Sequence, residues 1–407
     1  MPQTYLYKAR DNNGRTVNGH MEAEDERTVV LRLREHGYLV MSVLQQEVRR
    51  NILENLPIYL LHRVNAKHLA IFAREFATIL SAGIPLINCL HILMEQTESK
   101  VLQETLVGVS RDIESGSTLT KAFSKYPQIF PNLFTSLIQV GETTGTLDDV
   151  LDRLATYYEK DYDLREKVKS AMAYPSLVLL MSFGIIIFLL MFILPMFEGI
   201  FQGMDIELPG PTMAILAFSA LLKNYWFVFL GLLSLIFYGL RIYTKTETGQ
   251  LNLNRIAMLI PVLGVLWKKL SFSRFSMSLA VMTASGIPIL QALEVAKDTL
   301  DNKILSRDIG GMQDSVRNGN TIASFLDNNK NFPLMMSKMI AVGEMTGSLD
   351  IMLDKIASFY EKEVQYTVDR LAALLEPIMI VFLGAVVGGI VLAIMLPILD
   401  LVGNIGG

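Results

Sequence analysis

Four acids recur in one pattern. Glu142 and Asp148 lie in Val-Gly-Glu-x-Thr-Gly-x-Leu-Asp at 140–148, and Glu344 and Asp350 lie in the same motif at 342–350. Each glutamate stands alone between two glycines, Gly141 and Gly145 in one copy and Gly343 and Gly347 in the other. Carboxylate oxygens so placed could hold a hard cation or receive a basic residue of a partner. The plainer chemistry is a helix cap. An acid satisfies free N–H groups at a helix start, and acids are common there for that reason alone, while the glycines allow close packing.

Other reactive residue types form no comparable set. His20, His36, His62, His68 and His91 fall into no metal-ligand spacing, and a single cysteine argues against a zinc site. There is no Gly-x-x-x-x-Gly-Lys-Ser/Thr phosphate loop and no Gly-x-Ser-x-Gly elbow, so neither nucleotide hydrolysis nor serine chemistry is expected. Gly116-Ser117 reads as a helix cap. Cys89 sits in an apolar helical pattern, cannot form an internal disulfide, and fits a buried packing role in a reducing compartment. No catalytic residue, cofactor or firm metal site is expected, and a net charge of −4 gives no argument for nucleic acid.

The elements that carry the acids are themselves repeated. Pro131 to Tyr162 returns 202 positions later as Pro333 to Val364 with 15 identities, which marks a tandem duplication. Ser-Ala-Gly-Ile-Pro (81–85) and Ala-Ser-Gly-Ile-Pro (284–288) place Gly past one helix end and Pro in the first turn of the next. Similar breaks at Gly116 and Gly319, and at Pro131 and Pro333, divide each copy into five or six short helices. In the last helix of each copy, Thr146 and Ser348 can cap the start, and Asp148 and Asp350 suit the positive end of the dipole. Leu147, Leu151, Leu154 and Tyr158 form one face, repeated by Leu349, Leu353, Ile356 and Tyr360. This face runs on into an apolar segment, with Pro175 and Pro377 at equivalent positions predicted to kink the helix at the membrane edge.

The composition, 51% hydrophobic and 19% charged, is apolar for a soluble protein. Leu177 to Met196 and Pro377 to Leu399 carry no charge and are long enough to span a bilayer core, and a third span lies between Pro211 and Leu240. The loop from Glu198 to Thr212 holds three acids and no base, whereas Lys160, Arg165, Lys167 and Lys169 precede the first span. Positive charge stays on the cytoplasmic side, so the modules and N-terminus are expected inside and the C-terminus outside. Nothing at the N-terminus reads as a cleaved leader.

The resulting expectation is a mainly α polytopic membrane protein. A small N-terminal α/β unit (1–48) and a linker (49–65) precede helical module 1 (66–170), the first span (171–197), an external loop (198–212) and the second span (213–243). An interfacial segment against anionic lipid (244–269) leads to helical module 2 (270–370), the third span (371–400) and an external tail (401–407). Within the N-terminal unit the pattern predicts two strands around a turn at 11–14, a helix over 24–36 and a strand over 39–44.

Tyr-x-Ala-x-Asp-x-x-Gly (7–14), Phe-x-Arg-x-Phe (72–76), Ser-Gly-Ile-Pro (285–288), both acid motifs and the paired Pro195 and Pro397 together resemble the type II secretion system F family, over nearly the whole chain. That resemblance implies a non-enzymatic platform of the bacterial inner membrane, shared by type II secretion and type IV pilus machines. A hexameric cytoplasmic ATPase would act on it to lift pilin or pseudopilin subunits into a filament, beside other inner-membrane platform components. Three spans make a small platform, so self-association into a homo-oligomer is also expected. At the second Phe-x-Arg-x-Phe position the residues are Phe275, Ser276, Met277, Ser278 and Leu279, so the pair Arg74 and Glu75 is missing and the copies need not bind the same partner. A membrane transporter built from a tandem repeat is the rival class, against which stands the lack of ionisable residues inside the spans, Glu376 at the inner edge excepted.

Overall fold

A computed structural model describes residues 3–10, 16–23, 28–30, 33, 37–45, 64–203, 209–244, 246–261 and 263–405. The chain divides into two compact units, Met1–Arg63 and Val64–Gly407. In the first, strands β1 (Gln3–Arg10), β2 (Thr16–Ala23) and β3 (Leu39–Gln45) form an antiparallel sheet in the order β2-β1-β3. Val29 and Leu33 are buried, with Met21, Tyr38 and Val40 packed around them. The expected turn at 11–14 and most of the expected helix over 24–36 lie outside the described residues, as does the linker up to Arg63.

The second unit is helical. Module 1 comprises α1 (Ala66–Ser81), α2 (Leu86–Gln96), α3 (Lys100–Glu114), α4 (Leu119–Ser124), α5 (Asn132–Thr144) and α6 (Leu147–Phe188). A π-helical turn (Leu189–Ile193), α7 (Leu194–Gly203), α8 (Gly210–Tyr243) and α9 (Glu247–Leu259) connect it to module 2. Module 2 repeats the pattern as α10 (Leu263–Ala284), α11 (Ile289–Asp298), α12 (Lys303–Arg317), α13 (Ile322–Asn328), α14 (Leu334–Thr346) and α15 (Leu349–Ile405). In each module the first helix lies along the last, α1 on α6 and α10 on α15. One continuous apolar core runs through both modules. The copies fill it differently: Phe123, Phe130 and Phe134 cluster in module 1 with ring centroids 4.5 to 4.9 Å apart, whereas Leu326 and Met336 stand at the positions of Phe123 and Phe134 in module 2.

The glycines of the repeated motif do two separate jobs. Gly145 and Gly347 end α5 and α14 at φ of 74° and 68°, left-handed conformations that cost other residues about 1–2 kcal/mol. Gly141 and Gly343 permit contact. A Cβ on Gly141 would lie 3.0 Å from the Cα of Leu147, and one on Gly343 would lie 3.0 Å from the Cα of Leu349. The corner between the last two helices of each module can therefore close only around glycine.

Three helical stretches are long and apolar enough to cross a membrane: Leu147–Phe201, Thr212–Tyr243 and Leu349–Leu399. The last is α15 itself and the first is α6 continued through the π-helical turn into α7; both α6 and α15 run from polar to apolar surroundings through Pro175 and Pro377. The second span is α8, broken by the non-helical backbone of Tyr225. Its first half packs on the other two spans, burying Leu216 with Leu190, Leu194 and Ile390. Two hydroxyls of α8 act at the paired prolines. Pro397 has no N–H for the carbonyl of Ala393, and the Thr212 hydroxyl donates to that oxygen at 2.8 Å. Across the π-helical turn, Pro195 likewise leaves the Leu190 carbonyl free, and the Ser219 hydroxyl donates to it. In lipid no water can replace such a partner.

The apolar run from Ile256 to Trp267, expected as one interfacial segment, is not one element. α9 and α10 meet within it at a bend of 116°. Module 2 thus begins with α10 at Leu263, inside the stretch assigned to the connection, because Pro261 ends one helix and the following residues belong to the module's first.

Replacing Gly141 or Gly343 by Ala is expected to cost about 1–3 kcal/mol through overpacking. Gly310→Ala, where a Cβ would meet open space inside α12, should stabilise by roughly 0.5–1 kcal/mol. Thermal unfolding of the detergent-solubilised chain checks both signs.

Candidate functional site

The motif glutamates are occupied within the fold. Glu142 accepts from the backbone N–H groups of Leu119 (2.6 Å) and Thr120 (3.0 Å) and from the Thr120 hydroxyl (2.6 Å), all in the first turn of α4. Glu344 accepts from the N–H groups of Ile322 (2.7 Å) and Ala323 (3.1 Å) at the start of α13. Each carboxylate therefore caps a short helix from a distance of more than twenty residues and ties it to α5 or α14. Thr118 and Thr321 complete these caps by accepting from Lys121 and Ser324, so the hydroxyl that caps α4 belongs to Thr118, one place after the expected Ser117. Burial raises the Glu142 carboxyl, but the bonds from Thr120 and Leu119 outweigh it and hold the group below its ordinary range.

Asp148 and Asp350 stand apart from these caps, in the first turns of α6 and α15, where they complement the helix dipole. Thr146 makes no side-chain bond to the start of α6; its hydroxyl meets that of Thr144 at 2.7 Å. Among the described residues no group of three or more His, Cys, Asp or Glu gathers as metal ligands. Cys89 is buried, which pushes its thiol up to about 11.

The charged residues that organise the molecule lie elsewhere. Arg74 of α1 grips α6: its Nε and Nη2 meet the two carboxylate oxygens of Glu159, each at 2.6 Å, while Nη1 meets Asp152 at 2.6 Å. The hydrogen bonds to Glu159 are the main cause of its raised pKa. Met277 holds the equivalent place in α10, so the counterpart acids Asp354 and Glu361 have no arginine within their own module. They face α6 instead, 3.4 Å from Lys160 and 3.4 Å from Lys167 respectively.

Arg274 crosses the same seam. Its Nε lies 3.0 Å from Oδ1 of Asp161 on α6, both side chains being under 10% exposed, and its Nη1 reaches Asp301. The other Asp161 oxygen accepts from Arg165 at 2.7 Å. Burial first, and the Asp161 charge second, hold the Tyr157 hydroxyl well above its ordinary range. Asn132 of α5 donates to Asp298 of α11 at 2.8 Å. A cavity of about 430 Å³ lies where α6, α10 and α15 meet, lined by Tyr157, Lys160, Met277, Asp350 and Asp354 among others, and a smaller one of about 220 Å³ surrounds the Arg274 network. Arg274 and Asp161 are single residues in different repeats, and no motif marked them; the signal available was that Ile71, Arg274's counterpart, is not basic.

These features define a duplicated, membrane-spanning scaffold whose polar contacts join helices to one another. The family described as "Type II secretion system (T2SS), protein F" matches residues 72–195 and 275–397, one match for each repeat, and its N-terminal domain matches residues 1–44. The chain is 40% identical to a type IV pilus assembly protein PilC of Thermus thermophilus, with 98% of each chain covered. It is 36% identical to that of Myxococcus xanthus, over 98% of this chain and 95% of the relative. A type II secretion system protein F of Vibrio cholerae is 33% identical over 98% of both chains. The chain belongs to the type II secretion system protein F family.

Asp161→Asn leaves Arg274 buried beside a neutral partner, with an expected loss of about 3–5 kcal/mol, much of it recovered by the double substitution Asp161→Leu with Arg274→Met. Unfolding midpoints of the two variants and the wild type measure this. Glu142, with its pKa lowered by folding, stabilises the fold above the ordinary carboxylate value of 4.5, and this contribution is lost as pH falls through the folded value. The stability gap between wild type and Glu142→Gln should therefore narrow on acidification below about 4.5.

Proposed function

We propose that the chain is a non-enzymatic platform in the bacterial inner membrane that couples a hexameric cytoplasmic ATPase to the assembly of type IV pilus or type II secretion pseudopilus filaments. Family membership supports the assembly role, and the continuity of α6 and α15 from module to span supports the coupling. A displacement applied to either module is carried along an unbroken helix into the bilayer. Because Arg274, Lys160 and Lys167 link the modules, the two spans move together.

On this reading the modules and N-terminus are cytoplasmic and the C-terminus external, a reading supported by the basic residues before the first span. The spans meet lipid, pilin or pseudopilin subunits and other platform components, and the platform is a homo-oligomer. The acids Asp148 and Asp350 remain open to a partner's basic residues, whereas Glu142 and Glu344 act as internal caps.

An in-frame deletion in the source organism, complemented from a plasmid, tests this through electron microscopy of surface filaments and a comparison of secreted proteins. Loss of filaments assigns the chain to a pilus and loss of selected exoproteins to a secretion system. Neither loss, with no related chain present to substitute, overturns the platform.

A further inference from the structure

α9 and α10 carry apolar surface at one end of module 2, and their neighbours fix which end that is. α10 runs antiparallel to α15. Near its start the Lys269 amine meets Glu363 at 2.7 Å and the Thr367 hydroxyl at 3.0 Å, and near its end Val281 and Ala284 border a cavity with Asp350 and Asp354. Because α15 climbs from that cavity into its span, α10 starts at the membrane-proximal end of the module and descends from it. At 1.5 Å per residue, Leu263 stands about 9 Å nearer the bilayer than Lys269, and Pro377 about 15 Å nearer than Thr367. The start of α10 is thus about 6 Å short of the level at which the third span begins, the depth of one headgroup layer.

The start of α9 is held at the end of the second span. Asn252 donates to the Tyr243 hydroxyl at 3.0 Å, and Gln250 donates to the Thr244 carbonyl at 2.9 Å. Gly249 lies on the Tyr243 carbonyl and Gly264 on that of Met258, each too close to admit a Cβ, so both corners of α9 are tightly closed. The bend of 116° puts α9 about 26° past the perpendicular to α10, tipped so that its last turn lies nearest the bilayer. One side of α9 rests on α12, with Met258 against the core. On the other side Ile256 is 57% and Leu259 81% exposed, and exposed Ile260, Leu263 and Trp267 continue the apolar surface into α10. Arg255 is exposed and Lys268 half-buried; among the described residues neither forms an ion pair, and residues 248–292 contain no acid. α10 does not itself enter the bilayer, since Ser273, Arg274 and Ser276 lie buried along it. The exposed apolar surface is therefore confined to the corner, and it is bordered by positive charge alone.

We propose that this corner is seated in the leaflet that faces the modules. Leu259, Ile260, Leu263 and Trp267 lie at the boundary of headgroups and acyl chains, and Arg255 and Lys268 lie on the phosphates of anionic lipid. Lipid is the occupant because the corner adjoins two spans at the level where they leave the bilayer, and because an exposed tryptophan beside unpaired bases is the composition of an interfacial anchor. Module 2 is then tied to the bilayer through α9 as well as through α15, and it cannot tilt about α15 without withdrawing apolar side chains from lipid. The inference rests on the three spans and stands apart from the role in filament assembly.

The test uses the full-length chain in vesicles of phosphatidylcholine and phosphatidylglycerol. Trp226→Phe leaves Trp267 as the one tryptophan. In a Cys89→Ala background, Leu259→Cys and Met345→Cys each carry a single fluorophore, and Met345, 87% exposed on α14, is the water-facing control. Lipids brominated or spin-labelled near the start of the acyl chain should quench Trp267 and the Leu259 label at least about threefold more than the Met345 label. Arg255→Glu with Lys268→Glu should lower that quenching about twofold, and so should vesicles of phosphatidylcholine alone. Unfolding midpoints like that of the wild type show that the variants fold. Quenching of the Leu259 label by aqueous iodide to the level of the Met345 label overturns the proposal. Protection from both quenchers places the corner against a second copy or another protein and overturns it equally. Lipid quenching that responds neither to the substitutions nor to phosphatidylglycerol overturns the assignment of Arg255 and Lys268 to anionic headgroups.

Discussion

The arrangement of the second unit depends on a charge held away from water between the repeats. Taking Arg274 and Asp161 out of solvent costs several kcal/mol per ion, and their attraction offsets this only when geometry is good and the remaining oxygens and N–H groups find partners. Both conditions are met, since Asp161 also accepts from Arg165 and Arg274 also reaches Asp301. A pair with such requirements tolerates few relative positions of α10 and α6. It thereby specifies how the modules meet, and the exposed pairs from Lys160 and Lys167 follow along the same helix.

What is specified at the seam reaches the bilayer because the last helix of each module is also a span. The same economy of partners operates at the far end. Pro195 and Pro397, at equivalent positions of the repeat, each leave a carbonyl without its helical donor, and Ser219 and Thr212 supply hydroxyls from α8, which lies between the repeats. α8 is thus held between the duplicated spans by hydrogen bonds whose loss would leave bare carbonyls in an apolar medium.

The repeats differ at residues where they touch. Met277 stands where module 1 has Arg74, which leaves Asp354 and Glu361 to face α6, and Arg274 stands where module 1 has Ile71 and binds Asp161. The backbone caps from Glu142 and Glu344, by contrast, recur in both repeats, as expected for bonds made wholly inside each module, although only Glu142 also accepts from a hydroxyl, that of Thr120.

Much of this was legible in the residues alone. The repeat, the helix corners at glycine and proline, and the three apolar stretches depend on local preference and on length, and both are written along the chain. Capping by Glu142 and Glu344 was legible as a chemistry, though not which helix each would cap, because the capped N–H groups lie about twenty residues upstream. The apolar run at 256–267 showed hydropathy without direction, and folding bent it through 116°. Periodicity reveals which side of a helix is apolar, but it cannot say which partner an isolated charge will meet. Arg274 and Asp161 are 113 positions apart, and only the packing of two helices from different repeats brings them within 3.0 Å.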